Sequence, residues 1–246
     1  MCHPCRPDAG LSRPTGGWDI VPARVQPIPD DLCQATKAGH SIADRPVVSC
    51  PRLRRVTFKH VDFQGAPMRG EVVVMDAAAD GVAATFDALL AARFPIAKAR
   101  SVHHYDGSDD ASMADNNTSA FNDRLVTGGT SQSLHAFGVA IDLNPVQNPF
   151  IRRRASGRTI QPPAGRDFVN RSRSKPGTAE GLAPIFARHG FTVWGGDWNN
   201  PKDYQHFQSP RPLAEKLAGL AAEEAKPAFD SYVGRYRACI ARPNAS

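Results

Sequence analysis

Ser133 to Pro145 reads SLHAFGVAIDLNP. Val139, Ile141 and Leu143 alternate with Ala140, Asp142 and Asn144, the period of a half-buried strand, so Asp142 faces away from the apolar row. Just before it, the turn Ala136-Phe137-Gly138 lets the chain double back. His135 then approaches the Asp142 carboxylate, and the small Gly138 and Ala140 leave room for an ion between them. Further on, Gly195 to Gln208 reads GGDWNNPKDYQHFQ. Asp203 and His206 stand three apart there, and the Asn, Pro and Gly residues exclude a long helix. A turn brings both side chains to one side.

Working outward, Arg55–Phe63 alternates apolar and polar residues and is followed, after the turn-like QGAPMRG, by the apolar run Glu71–Met75, which together predict a hairpin. Asp80–Phe94 places Val82, Phe86, Leu89, Leu90 and Arg93 at helical spacing, with Asp80 as N-cap and Pro95 as stop. A second helix is predicted over Ala179–His189, closed by Gly190, with Pro184 forcing a late start or a kink. A third runs from Pro212 to about Ala225 and packs Leu213, Leu217 and Leu220. Further strand is predicted at Val139–Leu143 and around Val193. Strands before helices point to α+β architecture, a small mainly antiparallel sheet with flanking helices in one domain. Residues 1–52, rich in Pro, Gly and Asp, read as an irregular arm ahead of a domain over 53–246. The domain carries a basic insertion loop at 151–176 and ends in a helical tail.

The chain has 246 residues, enough for a sizeable core, and 41% hydrophobic against 22% charged residues excludes a disordered chain. No window approaches the roughly 18 consecutive apolar residues of a membrane span, and the first residues show no signal-peptide core. The net charge of +6 favours polyanions in general. Residues 151–176, IRRRASGRTIQPPAGRDFVNRSRSKP, hold much of the excess, either as a solvated loop or as a rim for an anionic polymer. Phe168 is the one aromatic there, which argues against a base-stacking surface and hence against a nucleic-acid partner. Of the five cysteines, Cys2 and Cys5 lack the second pair that a structural zinc site needs, and Cys33–Cys50 is open to pairing in an exported chain.

Two His and one Asp match a catalytic zinc site, which keeps three protein ligands and a position for water. A nearby unligated carboxylate can take the proton of that water as it attacks a peptide carbonyl, and Asp203 is the candidate. Neither histidine is informative alone. S-x-H-x-x-G-x-A-x-D followed downstream by D-x-x-H is far more specific. His103 and His104 are adjacent, and on a strand they would face opposite ways, so they are not read as joint ligands. Asp197 reads as a structural hydrogen-bond partner.

At these residues the chain resembles the M15 zinc peptidases of the D-Ala-D-Ala carboxypeptidase and L-alanyl-D-glutamate endopeptidase type. The resemblance covers roughly residues 57–208 and includes FPI at Phe94–Ile96, SMADNNTSAFNDR at Ser112–Arg124, SLHAFGVAIDLNPVQNPF from Ser133, and GFTVWGGDW with DYQHFQ. It implies one zinc ion on His135, Asp142 and His206, Asp203 as general base, and Arg124 as the basic side chain that steadies the oxyanion. Some members carry Glu where Asp203 stands, and members often carry Cys where Asp123 stands. Ser133 is expected to hydrogen-bond near the first ligand, and Ser133, Asn117, Thr118 and Ser119 are the candidate substrate-binding residues, the last three along a groove, each open equally to a role in turn chemistry. The implied activity is hydrolysis of a peptide bond in peptidoglycan stem peptides by a monomer acting at the cell wall. The alternative is a zinc-containing wall-binding module without turnover, and the retained Asp203 speaks for the enzyme.

Overall fold

The computed structural model describes residues 21–38, 42–43 and 46–241. Its first layer is an antiparallel sheet of β1 (Arg24–Pro27), β2 (Leu53–Val61) and β3 (Pro67–Met75), in that spatial order. The predicted hairpin is its centre, with β2 and β3 paired from Leu53↔Met75 to Val61↔Pro67. Asp62 closes the turn, its Oδ1 accepting from the amides of Gln64 and Ala66. Helix α2 (Ala79–Ala91) covers one face through Val82, Phe86 and Leu89, and the Phe58 and Phe86 rings stack 3.7 Å apart. Asp80 is not the N-cap expected of it. It lies in the first turn and pairs at 2.9 Å with Lys226.

The N-terminal boundary at residue 52 does not hold for the described part. β1 pairs along the outer edge of β2, from Arg24↔Thr57 to Pro27↔Arg54. Helix α1 (Asp30–Ala38) follows, a Cys33–Cys50 disulfide ties it to the start of β2, and Ile28, Ile42 and Val48 enter the core. A four-residue edge strand is held by backbone pairing and carries too few side chains to display a period. Residues 1–20, with Cys2 and Cys5, lie outside the described residues.

Beyond α2, β4 (Lys98–Ala99) pairs in parallel with β5 (Asn117–Thr118) across helix α3 (Asp109–Ala114). His103 and His104 sit in a 3-10 turn, Val102–Tyr105, with ring centroids 4.0 Å apart, so the strand geometry expected of them is corrected. β6 (Ala140–Asp142) then enters a second small sheet. The basic stretch is also corrected, because much of it is a hairpin, β7 (Phe150–Arg154) with β8 (Gly157–Gln161), followed by a 3-10 turn. Both faces of its tip are exposed, so pairing proceeds without an apolar alternation.

Helix α4 (Ala183–Arg188) is shorter than expected, with Pro184 in its first turn and Gly190 at φ +100 beyond its end. β9 (Val193–Trp194), β10 (Lys202–Asp203) and β11 (His206–Gln208) follow, β11 lying between β6 and β9 and β10 joining β7. The third predicted helix is two, α5 (Arg211–Gly219) and α6 (Ala222–Ile240), broken where Leu220 and Ala221 turn extended. Mixed α+β architecture with small antiparallel sheets is as the pattern predicts. Under β11, Phe207 stacks on Phe186 at 3.8 Å, giving the second sheet a rigid apolar floor.

Candidate metal centre

The register of β6 and β11 sets His206 directly opposite Asp142. Cross-strand partners project to the same face, so this pairing brings imidazole and carboxylate together without any loop adjustment. His206 Nδ1 lies 2.9 Å from Asp142 Oδ1, and His135 Nε2 lies 3.2 Å from Asp142 Oδ2. The two inward ring nitrogens are 3.2 Å apart, and all three side chains are buried. The ligand atoms fall within 4.8 Å of one another.

The outer ring nitrogens explain what the inner ones can do. His135 Nδ1 is hydrogen-bonded to the Ala120 carbonyl and His206 Nε2 to Gln208 Oε1 at 2.8 Å. Those oxygens only accept, so each neutral ring carries its proton on the outside and turns a lone pair inward. Two lone pairs and a carboxylate then converge in a buried space, an arrangement that a cation relieves. Outer acceptors of this kind orient metal-binding imidazoles. The donor set fits a divalent ion such as zinc, and this group can hold a metal.

Two features hold His135 in place. Gly138 has φ +65, and a Cβ there would lie 2.5 Å from the Met75 nitrogen, which instead donates to the Gly138 carbonyl at 3.0 Å. Only glycine lets this turn lean on the end of β3. Ser133 Oγ accepts from the His135 amide at 3.3 Å, and Gly138 N donates to the His135 carbonyl. Asp142 is fixed from its other side, its backbone exchanging both hydrogen bonds with Ser119.

Asp203 pairs with Phe150 across β10 and β7. A Cβ on Gly195 would come within 2.5 Å of the Asp203 carbonyl, so the glycine pair before Asp197 lets this strand approach. The Asp203 Oδ1 atom is buried without a hydrogen-bond partner. Burial, and after it the charge of Asp142, pushes this carboxyl up to about 7, against smaller opposing effects of His206, Gln205 and His135. Burial would raise Asp142 too, but the charge and hydrogen bonds of the two imidazoles hold it well below the usual carboxylate range. His206 is raised despite its burial, because Asp142 and Asp203 face it. A carboxyl raised toward neutrality beside the ionised Asp142 is suited to accept a proton.

The other expected residues divide. Arg124 is turned to Asp109, with Nη2 at 2.7 Å from its carboxylate, and its Nε is buried without an acceptor. Asn117 is fully buried and spends its amide on the Arg100 backbone, at 2.8 and 2.9 Å, and on Ser112 Oγ. That corrects its expected place in a substrate groove. Thr118 Oγ1 accepts from the Asn144 amide, and Ser119 acts on Asp142 through its backbone. Ser133 caps the His135 turn, its Oγ accepting from the His135 amide.

Sequence reasoning passed over Gln208 and Trp198, whose ring centroid is 5.5 Å from that of His206. The signal for Gln208 was its position two residues after His206, which on a strand means the same face.

Residues 127–209 match a family model described as D-alanyl-D-alanine carboxypeptidase. The match supports an M15 family peptidase. It covers about a third of the 246 residues and contains His135, Asp142, Asp203 and His206, whereas Asn117–Ser119 and Arg124 precede it. No curated protein and no solved structure matches the chain significantly. The M15 match and the buried His-Asp-His group together support peptidase activity with a bound metal. Among the described residues no helix is long and apolar enough to cross a membrane.

Proposed function

We propose that this chain is a zinc-dependent peptidase that hydrolyses a peptide bond in peptidoglycan stem peptides, either the terminal D-Ala-D-Ala bond or the L-Ala-D-Glu bond, as a monomer at the cell wall. The observation that carries the reading is the Asp203 carboxyl, whose Oδ1 is buried without a hydrogen-bond partner, beside the His135-Asp142-His206 donor set. A zinc ion, when bound, supplies a Lewis acid that polarises the scissile carbonyl and lowers the pKa of water.

His135 and His206 hold their lone pairs inward because Ala120 and Gln208 fix their tautomers. Asp203 takes one proton from the attacking water as its oxygen bonds to the carbonyl carbon. It returns that proton to the departing amine as the C–N bond breaks. Trp198, half-buried beside His206, restricts water at the mouth of the site. Arg124 is the candidate for the developing oxyanion, which requires its guanidinium to exchange Asp109 for substrate.

The second reading, a wall-binding module without turnover, would leave Asp203 without a task. A buried carboxyl oxygen left without a partner is costly, and nothing in a binding role calls for it. The test is digestion of purified peptidoglycan and of soluble stem peptides by the zinc-loaded protein, with mass spectrometry of the products. Release of D-Ala or of cleaved stem peptides supports the proposal and the masses name the bond. Tight zinc binding with no product from any wall type would favour the binding module.

A further inference from the structure

A second concave site lies on the first sheet, on the face turned away from α2. Along β2, Val56, Phe58 and His60 are buried, whereas Arg55, Thr57 and Lys59 alternate with them and reach the other side. The register sets Arg24 of β1 and Glu71 of β3 beside Thr57, and Arg69 beside Lys59. These side chains, with Arg100 closing one end, line a cavity of about 740 Å³. None of the residues around it belongs to the metal centre.

Its positive charge is in excess among the described residues. Arg24, Arg55, Lys59, Arg69 and Arg100 face one space in which, among the described residues, Glu71 is the only acid. Among the described residues no ion pair engages any of the five. Arg55 Nε is buried without an acceptor, and its Nη2 reaches only Gln26, at 3.3 Å. Like charges on neighbouring strands repel. A sheet face that gathers them and leaves a buried guanidinium donor unmet is built for a ligand that brings oxyanions.

The ligand's shape follows from the strands. Side chains two apart on β2 are separated by roughly 6.8 Å and the strands by about 4.8 Å, so the cations form a grid suited to several anionic groups in a row. Four of the five are arginines, whose planar forks match phosphate oxygens. Among the described lining residues, Phe58, the one Phe, Tyr or Trp, is buried and stacked on Phe86, and the His104 ring is engaged with His103 at 4.0 Å, so the described face offers bases no broad stacking platform. We infer that the cavity binds a base-free phosphodiester chain of the polyol-phosphate kind, holding the protein to an anionic polymer at a distance from the metal centre.

The test is binding of a fluorescently labelled poly(glycerol phosphate) oligomer to the full-length protein over a salt series, read by anisotropy. The wild type is compared with Arg55→Gln/Arg69→Gln and with Arg153→Gln/Arg158→Gln, a charge-matched control on the exposed β7–β8 hairpin, circular dichroism confirming that each folds. The expected result is a loss of roughly tenfold or more in the cavity variant alone. Its slope of log K against log salt should be shallower by about 1.4, two contacts at about 0.7 each. Equal losses in both variants would reduce the effect to overall charge and overturn the site. Equal or tighter binding of a thymidine oligonucleotide or of polyglutamate would overturn the ligand class, and no binding at about 50 mM salt would overturn both. Binding is read directly, so the outcome does not depend on peptidase activity.

Discussion

Replacing Gln208 by Leu tests how His206 is presented to a metal. The substitution keeps the side chain's bulk and the β11 backbone pairing with Ala140 and Val193, and removes the oxygen that lies 2.8 Å from His206 Nε2. His206 is 7% exposed, so water does not replace the lost acceptor freely. A buried donor left unmet costs about 1–3 kcal/mol, and loss of an outer partner of a metal-binding imidazole lowers affinity by roughly 10- to 100-fold, about 1.4–2.8 kcal/mol. The two figures agree. Zinc affinity, measured by competition with a chromogenic chelator, should fall by that factor in Gln208→Leu and recover in Gln208→Glu, whose carboxylate also accepts. Wild-type affinity in Gln208→Leu would refute the reasoning, because it would mean that His206 binds through Nε2 with its ring reversed.

Asn117→Leu should destabilise the fold by roughly 2–4 kcal/mol in denaturant unfolding, since three buried hydrogen bonds are lost, while turnover per folded molecule is unchanged. A selective rise in KM without loss of stability would restore the groove role. Cys33→Ser/Cys50→Ser opens a bridge across 17 residues and should cost about 3 kcal/mol, lowering Tm by roughly 6–12 °C in calorimetry with zinc affinity retained. His189 is pushed down to about 4, first by burial and then by the charges of Arg237 and Arg188. It is therefore neutral when folded, and its contribution is present above about 6.5 and lost as pH falls through about 4. Stability measured from pH 7 to 4 should decline less in His189→Gln, by a difference on the order of 1 kcal/mol after allowing for solvent screening.

The metal donors were legible because their spacing is local on both sides of the site. The alternation Val139-Ile141-Leu143 set Asp142 on a face, the Gly138 turn returned His135 to it, and the short D-x-x-H turn paired Asp203 with His206. What the sequence could not carry was the register that sets His206 against Asp142, which arises from pairing between distant strands. The hairpin Leu53–Met75 and helix Ala79–Ala91 were legible for the same reason, each having enough residues to display its period. β1 and the β7–β8 hairpin were not, since edge pairing is satisfied by backbone groups whatever side chains stand there. Asn117 reads alike as a groove residue and as a buried clamp, and only its contacts with Arg100 and Ser112 distinguish the two. The cationic sheet face was invisible because its arginines and lysine are scattered from Arg24 to Arg100 and meet only across strands.

The most direct test of the central claim is hydrolysis of a synthetic stem peptide by three samples, the chelated protein, the zinc-reconstituted protein and zinc-reconstituted Asp203→Asn, with bound zinc quantified in each. The account predicts turnover in the reconstituted wild type, none in the chelated sample, and a loss of roughly 10²- to 10⁴-fold in Asp203→Asn at full zinc occupancy. Equal turnover by the chelated protein, or by Asp203→Asn, would contradict it.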